Sequence, residues 1–188
     1  MKVKYKYFGD NNIVSNLYSK ANGNVNKLPH PFKKYEDDFC YDVVATECNE
    51  IHPNVYEYKI GIGCQIDRKS IIREIGNLYS FRPHDLDTTT KWEEWLTNNL
   101  IIDIDLRPRS SIRDTGLILC NCEGTLDEGF TNEIKATFYH VVPNLPIYKV
   151  GDKIGQIKLG FTFKIDFEKV ESFEEKERGL KCFGSSKN

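Results

Sequence analysis

Short stretches rich in Ile, Val, Phe, Tyr and Thr recur along this chain, each closed within about a dozen residues by Asn, Asp, Gly or Pro. That rhythm constrains the fold more than any other feature of the sequence. It predicts strands over 39–46, 55–66, 100–106, 117–122, 133–142 and 153–163, and hence an all-β sandwich or barrel. The first six residues alternate charged with apolar side chains and read as an opening strand. Gly61-Ile62-Gly63 is too short for a dinucleotide-binding loop and reads as a strand kink.

One segment breaks the rhythm. Within residues 67–99, Ile71, Ile72, Ile75, Leu78 and Tyr79 follow helical spacing, and Trp92, Trp95 and Leu96 resume it after the cap-like Asp87-Thr88. Two short helices inserted in a β fold are predicted. Aromatics at i and i+3 on a helix usually face a core, so both tryptophans are expected to pack against the barrel; the other reading is a partner-binding surface.

Composition excludes several classes. The chain has 188 residues, enough for one domain with an insertion, and 26 basic against 28 acidic residues leave no basic excess for duplex binding. The longest apolar runs are too short to span a membrane, and the N-terminus lacks the apolar core of a signal peptide. A soluble, intracellular, cytoplasmic chain is expected, with no nucleic-acid or membrane partner. The six cysteines show no C-x-x-C spacing, which favours free thiols, and Cys120 and Cys122 would share one face of a strand. No histidine stands in a zinc-deaminase context, and no nucleophile elbow or P-loop occurs.

Three clusters carry groups suited to a phosphorylated, planar ligand. Arg107-Pro108-Arg109-Ser110-Ser111 offers phosphate donors at a strand end. Residues 121–130, read as a β-hairpin, gather Asn121, Gly124, Asp127 and Phe130. The C-terminal arm, 178–188, brings Arg178 for phosphate pairing, Phe183 as a stacking face, and Gly184, Ser185 and Ser186 as backbone and hydroxyl donors. It is too poor in apolar residues to pack by itself, which bounds the domain at 1–177.

In their order these clusters resemble the five motifs of the trimeric dUTP pyrophosphatases (dUTPases). Phe39-Cys40-Tyr41-Asp42-Val43 is similar to the first, Pro108-Arg109-Ser110-Ser111 to the second and residues 121–133 to the third. Gly151-Asp152-Lys153-Ile154-Gly155-Gln156-Ile157 is similar to the fourth, and the Arg-Gly…Phe-Gly-Ser-Ser tail to the fifth. The resemblance spans residues 1–66 and 100–188, leaving 67–99 as an insertion that could hold a protein partner. It departs from the family at Phe130, where Tyr is usual, at Asn132 for Gly, and at Lys181-Cys182 for two glycines. Phe130 keeps the π face and loses a phenol hydrogen bond; the arm loses glycine's freedom at two positions.

The resemblance implies a distorted jelly-roll or β-barrel, a homotrimer whose sites borrow motifs from three subunits, and Mg²⁺ as cofactor. It implies hydrolysis of dUTP to dUMP and pyrophosphate, which keeps uracil out of DNA and supplies dUMP. Asp127 would be the catalytic carboxylate that activates water. Arg109, Ser110, Ser111 and Gln156 would hold phosphates, and Arg178, Gly184, Ser185 and Ser186 would clamp them. Asn121 and the Gly124 backbone would read uracil, Phe130 would lie under the deoxyribose, and Phe183 would stack on the base. Asp42 would meet the metal through water. The related dCTP deaminases share the Arg-Ser-Ser form of the second motif, but this chain has Thr137 where they carry a catalytic Glu. A silent regulatory module is the alternative of another class; Asp127, Arg109 and Arg178 argue against it.

Overall fold

The computed structural model describes residues 1–23, 30–78, 86–172 and 174. Two four-stranded antiparallel sheets face each other. One has the order β2 (Tyr41–Val44), β10 (Lys153–Phe163), β6 (Leu100–Pro108), β8 (Gly124–Asp127). The other has the order β3 (Glu47–His52), β4 (Val55–Lys59), β9 (Lys135–His140), β7 (Leu117–Leu119). A third pair joins β1 (Val3–Tyr7) to β5 (Ile62–Ile66). Apart from the β3–β4 pair, strands that follow one another in sequence lie in different sheets, the connectivity of a jelly-roll sandwich, and the sheets do not close on one another.

Alternation along each strand builds the core. On β6, Leu100, Ile102, Ile104 and Leu106 are buried, while Ile101 and Asp103 between them and Arg107 after them are on the other, more exposed face. Val43, Val44, Ile154 and Ile157 from one sheet meet Tyr58, Leu117, Leu119, Ala136 and Phe138 from the other. Tyr58, Phe138 and Tyr148 pack edge to face, with centroids 5.6, 6.3 and 5.8 Å apart. The Tyr58 hydroxyl donates to the Tyr148 carbonyl at 3.0 Å. The expected kink is a strand break: Gly61 has φ 66°, and a Cβ there would stand 2.8 Å from Thr46 Cγ2, so the chain turns from β4 into β5 only with glycine.

Helix α1 (Asn11–Asn22) is absent from the sequence reading. It holds four asparagines among twelve residues and no strong helix former beyond Leu, Lys and Ala, so propensity argues against it. Its ends and one face argue for it. Asp10 Oδ1 accepts from the amides of Asn12 and Ile13 at 2.8 and 3.2 Å, and Gly23 closes it in the left-handed conformation. Val14 and Tyr18 bury, and the Tyr18 hydroxyl donates to the Ile60 carbonyl at 3.1 Å. Strand β3 is also absent from the sequence reading, because this edge strand, with Glu47, Asn49 and Glu50 among its six residues, carries no clear apolar alternation.

Helices α2 (Arg68–Leu78) and α3 (Leu86–Asn99) occupy the segment with helical spacing. α3 starts at Leu86, so Asp87 and Thr88 lie in its first turn. Ile71, Ile72 and Leu96 meet Leu100 and Ile102 of β6 in a second, smaller core. The tryptophans depart from the expected burial. Leu96 is 2% exposed, whereas Trp92 and Trp95 are 40% and 44% exposed. They stack on each other at 5.5 Å, with Phe163 5.4 Å from Trp95, because Leu96 and not Trp95 turns toward β6. Two further expectations fail nearby. Strand β7 ends at Leu119, so Cys120 and Cys122 sit exposed in a turn. Residues 121–130 form no hairpin of their own, because β8 pairs with β6 while β7 and β9 pair with each other in the opposite sheet.

Candidate active site

The outward face of the β2-β10-β6-β8 sheet is polar and crowded. Across one end, Asp42 of β2 lies opposite Gln156 of β10, which lies opposite Arg107 of β6. Asp42 is buried, and its charge is answered from three sides. Gln156 Nε2 donates to Asp42 Oδ1 at 3.0 Å, Arg109 Nη1 is ion-paired to Oδ2, and Lys153 Nζ stands 3.6 Å from Oδ2. Asp42 therefore fixes both Arg109 and Gln156.

Arg109 is extended, with ψ 160°, and precedes a 3-10 turn, Ser110–Asp114. Ser110 is exposed on that turn; the Ser111 hydroxyl lies 3.3 Å from the Tyr148 hydroxyl, which ties the turn to the aromatic core. Burial pushes the Tyr148 phenol up, so it stays a neutral partner for Ser111. Arg107 Nη2 reaches Glu123 at 2.6 Å and fixes the entry to β8. A Cβ at Gly124 would stand 3.2 Å from Asn121 Nδ2, so glycine lets the Asn121 amide lie against the strand.

Further along the same face, Lys158 Nζ pairs with Asp105 at 2.7 Å, and the Thr125 hydroxyl donates to it at 3.2 Å. Burial raises the Asp105 carboxyl, but Lys158, Thr125 and Arg107 outweigh it and hold Asp105 below the usual carboxylate range. Asp103, two residues earlier, is pushed up, first by burial and then by the charge of Asp105. Its Oδ1 is buried without a hydrogen-bond partner. Asp127 stands opposite Asp103 and is exposed at the end of β8, where the Phe130 amide donates to its carbonyl at 2.9 Å and closes a tight turn. Phe130 is exposed on that turn.

The chain thus gathers Asp42, Arg109 and Gln156 at one end of the sheet, with Asn121 and Gly124 beside Leu106 and Arg107. It does not bring Asp127 or Phe130 to them. Asp127 lies three residues along β8 from Gly124, about 10 Å at strand spacing. Arg178, Phe183, Gly184, Ser185 and Ser186, together with Lys181-Cys182, lie outside the described residues. Tyr148 and Lys153 escaped the sequence reading as site residues; Lys153 stands three residues before Gln156, so strict alternation would put it on the opposite face, and only the register shift between Lys153 and Gly155 brings it beside Asp42.

A Mg²⁺ ion prefers several oxygen donors. Among the described residues no group of three His, Cys, Asp or Glu side chains could hold a metal, and the Asp42 oxygens are engaged by Gln156, Arg109 and Lys153. The protein groups at this end are donors suited to phosphate; the ligands for a divalent ion would have to come from phosphate oxygens and water.

A jelly roll with this polar sheet face has the fold of the dUTPases. The chain aligns with the Staphylococcus bacteriophage 80alpha dUTPase, solved as a mutant with dUpNHpp, over 98% of both chains at TM-score 0.57 and 17% identity. It aligns with a mutant dUTPase from phage phi11 of S. aureus, described with the coordination of a structural Mg(II) ion, over 93% of this chain and all of that one, at TM-score 0.53 and 13% identity. Sequence comparison agrees. The deoxyuridine 5'-triphosphate nucleotidohydrolase of Nocardia farcinica is 37% identical over 83 residues, 43% of this chain and half of that protein's length. That of Corynebacterium diphtheriae is 26% identical over 161 residues, 85% of this chain and 86% of that protein. No protein-family model matches the chain. The chain is thus similar to dUTPases in fold along nearly its whole length, and in sequence most strongly over 83 residues. No helix among the described residues is long and apolar enough to cross a membrane.

Proposed function

We propose that this protein hydrolyses dUTP to dUMP and pyrophosphate in a homotrimer. The observation that carries the reading is the Asp42–Arg109–Gln156 cluster, a cation and an amide fixed by one buried carboxylate, on the motifs that resemble the family's phosphate-holding residues. Its separation from Asp127 within one chain supports an assembly in which a neighbouring subunit supplies the missing carboxylate.

In this reading Asp127 takes a proton from water as the water oxygen attacks the α-phosphorus; the bond from that phosphorus to the bridging oxygen breaks, and pyrophosphate leaves with the electron pair. Arg109, Ser110 and Ser111 hold the phosphate chain, and Gln156 assists from across the sheet. Arg178, Gly184, Ser185 and Ser186 close over the terminal phosphate. Asn121 and the Gly124 backbone present donor and acceptor to uracil; cytosine offers an amino donor where uracil has a carbonyl, so an N–H aimed there rejects it. Phe130 lies beneath the deoxyribose, where a 2′-hydroxyl would collide, and Phe183 stacks on the base. Asp42 would meet a Mg²⁺ ion through water, and the ion would supply charge neutralisation at the phosphates. The 67–99 segment supplies none of these substrate contacts, and its exposed Trp92 and Trp95 could hold a protein partner; a cytoplasmic location goes with the proposed substrate.

Asp127→Asn tests the assignment. It keeps shape and hydrogen bonding but removes the base, so kcat falls by about 10²-fold or more while nucleotide binding persists. A variant with more than about a tenth of wild-type kcat would remove Asp127 from the role.

A further inference from the structure

The turn that carries Asp127 is fastened to the helical segment by one side chain. Arg68, the first residue of α2, donates from Nη1 to Glu128 Oε2 at 2.6 Å. From Nη2 it donates to the carbonyl of Thr97 at 2.8 Å and to that of Leu100. Those carbonyls end α3 and begin β6, where a helix leaves acceptors unfilled and favours a cation. Arg68 is itself held in place: Asp67 Oδ1 accepts from the Ser70 amide at 3.1 Å, and its carbonyl accepts from the Ile71 amide at 3.1 Å, while Ile71 is buried in the second core.

Glu128 is the residue after Asp127. The turn containing both is exposed apart from the half-buried Glu128 and includes Gly129, so its backbone has little packing of its own. A planar guanidinium that bonds a carboxylate on one side and two carbonyls on the other is a rigid strut. We infer that Arg68 is a positioning residue for Asp127: through Glu128 it holds the turn at a fixed place relative to α3 and β6, so that the helical segment sets the aim of the reacting carboxylate. The inference rests on the reading of Asp127 as the base. It also accounts for a pair of helices joined to the sandwich beside that turn.

The test uses two variants and two readouts on the full chain. Glu128→Gln weakens the strut at the turn and leaves the Arg68 bonds to α3; Arg68→Met removes both. In each variant, hydrogen exchange at the Phe130 amide, which donates to Asp127 in this turn, should rise about tenfold. On dUTP, kcat should fall about tenfold with KM within about twofold, because misplacement of a reacting group costs rate rather than binding. Arg68→Lys, which keeps the charge without the fork, should recover only part. Wild-type exchange and wild-type kcat in Glu128→Gln would overturn the inference even if Arg68→Met fails to fold. Should the wild-type protein not hydrolyse dUTP, the reading of Asp127 falls and the catalytic half of the inference with it, and Phe130 exchange still decides whether Arg68 holds the turn.

Discussion

Asp127 stands opposite Asp103 in the β6–β8 ladder, while Arg109 lies beyond the far end of β6 and is paired with Asp42. The base and the phosphate-holding cation of the proposed reaction are thus fixed at opposite ends of one sheet face. In a ring of identical subunits, the two can meet only across a subunit boundary.

Subunit mixing tests that arrangement. Asp127→Asn and Arg109→Ala proteins should each be nearly inactive on dUTP. Unfolded together in equal amounts and refolded, they should recover up to about a quarter of wild-type activity, since each mixed trimer regains one complete site of three. Activity no greater than the sum of the two parents would place both groups in one chain's site.

Asp103 offers a prediction about stability. Its carboxyl is pushed up by burial and by Asp105, and one oxygen is buried without a partner. A carboxyl whose folded value lies above its unfolded value supports the fold while protonated, and that support is lost as pH rises through the folded value. At neutral pH the ionised group is therefore a liability. Asp103→Asn should stabilise the protein by about 1 kcal/mol at pH 7, with the gain shrinking as pH falls through the raised folded value and gone below about 4, where the carboxyl is protonated in the folded and unfolded chain alike. Thermal melts of both proteins across that range check it; an equal gain at all pH values would contradict it.

Much of the fold was legible because it is local. Alternation along 100–106 and 153–163 found β6 and β10, helical spacing found α2 and α3, and the glycine at 61 marked the break between β4 and β5. The misses have physical reasons. In α1, caps and a buried face override the poor propensity of its asparagines. The hairpin expected over 121–130 was wrong because a turn-rich sequence does not say which strand its neighbour will choose, and β8 chose β6. The tryptophans followed helical spacing correctly, yet one step of rotation on α3 gave the core to Leu96. At the site, motif order named Asp42, Arg109, Gln156 and Asp127, but their distribution over the sheet depends on long-range register and could be read only from the structure.

The C-terminal arm supplies a further test. Deleting residues 178–188 should leave the sandwich folded, since this stretch carries too few apolar residues to build a core. Turnover of dUTP should collapse, because Arg178 and Phe183 are lost together with the closure of the site against water. Phe183→Ala should reproduce part of the loss, about 1–3 kcal/mol if it stacks on the base as other aromatics do. A truncated protein with undiminished kcat/KM would exclude the tail from the site.

The proposed reaction is defined by which bond breaks and which base is read, and one assay decides both. With Mg²⁺ present, pyrophosphate and ammonia are measured in parallel on dUTP, dCTP, dTTP and UTP. One pyrophosphate is expected for each dUTP consumed, no ammonia from any nucleotide, and rates on the other three lower by about 10²-fold or more. Ammonia released from dCTP, or no pyrophosphate from dUTP, would contradict it.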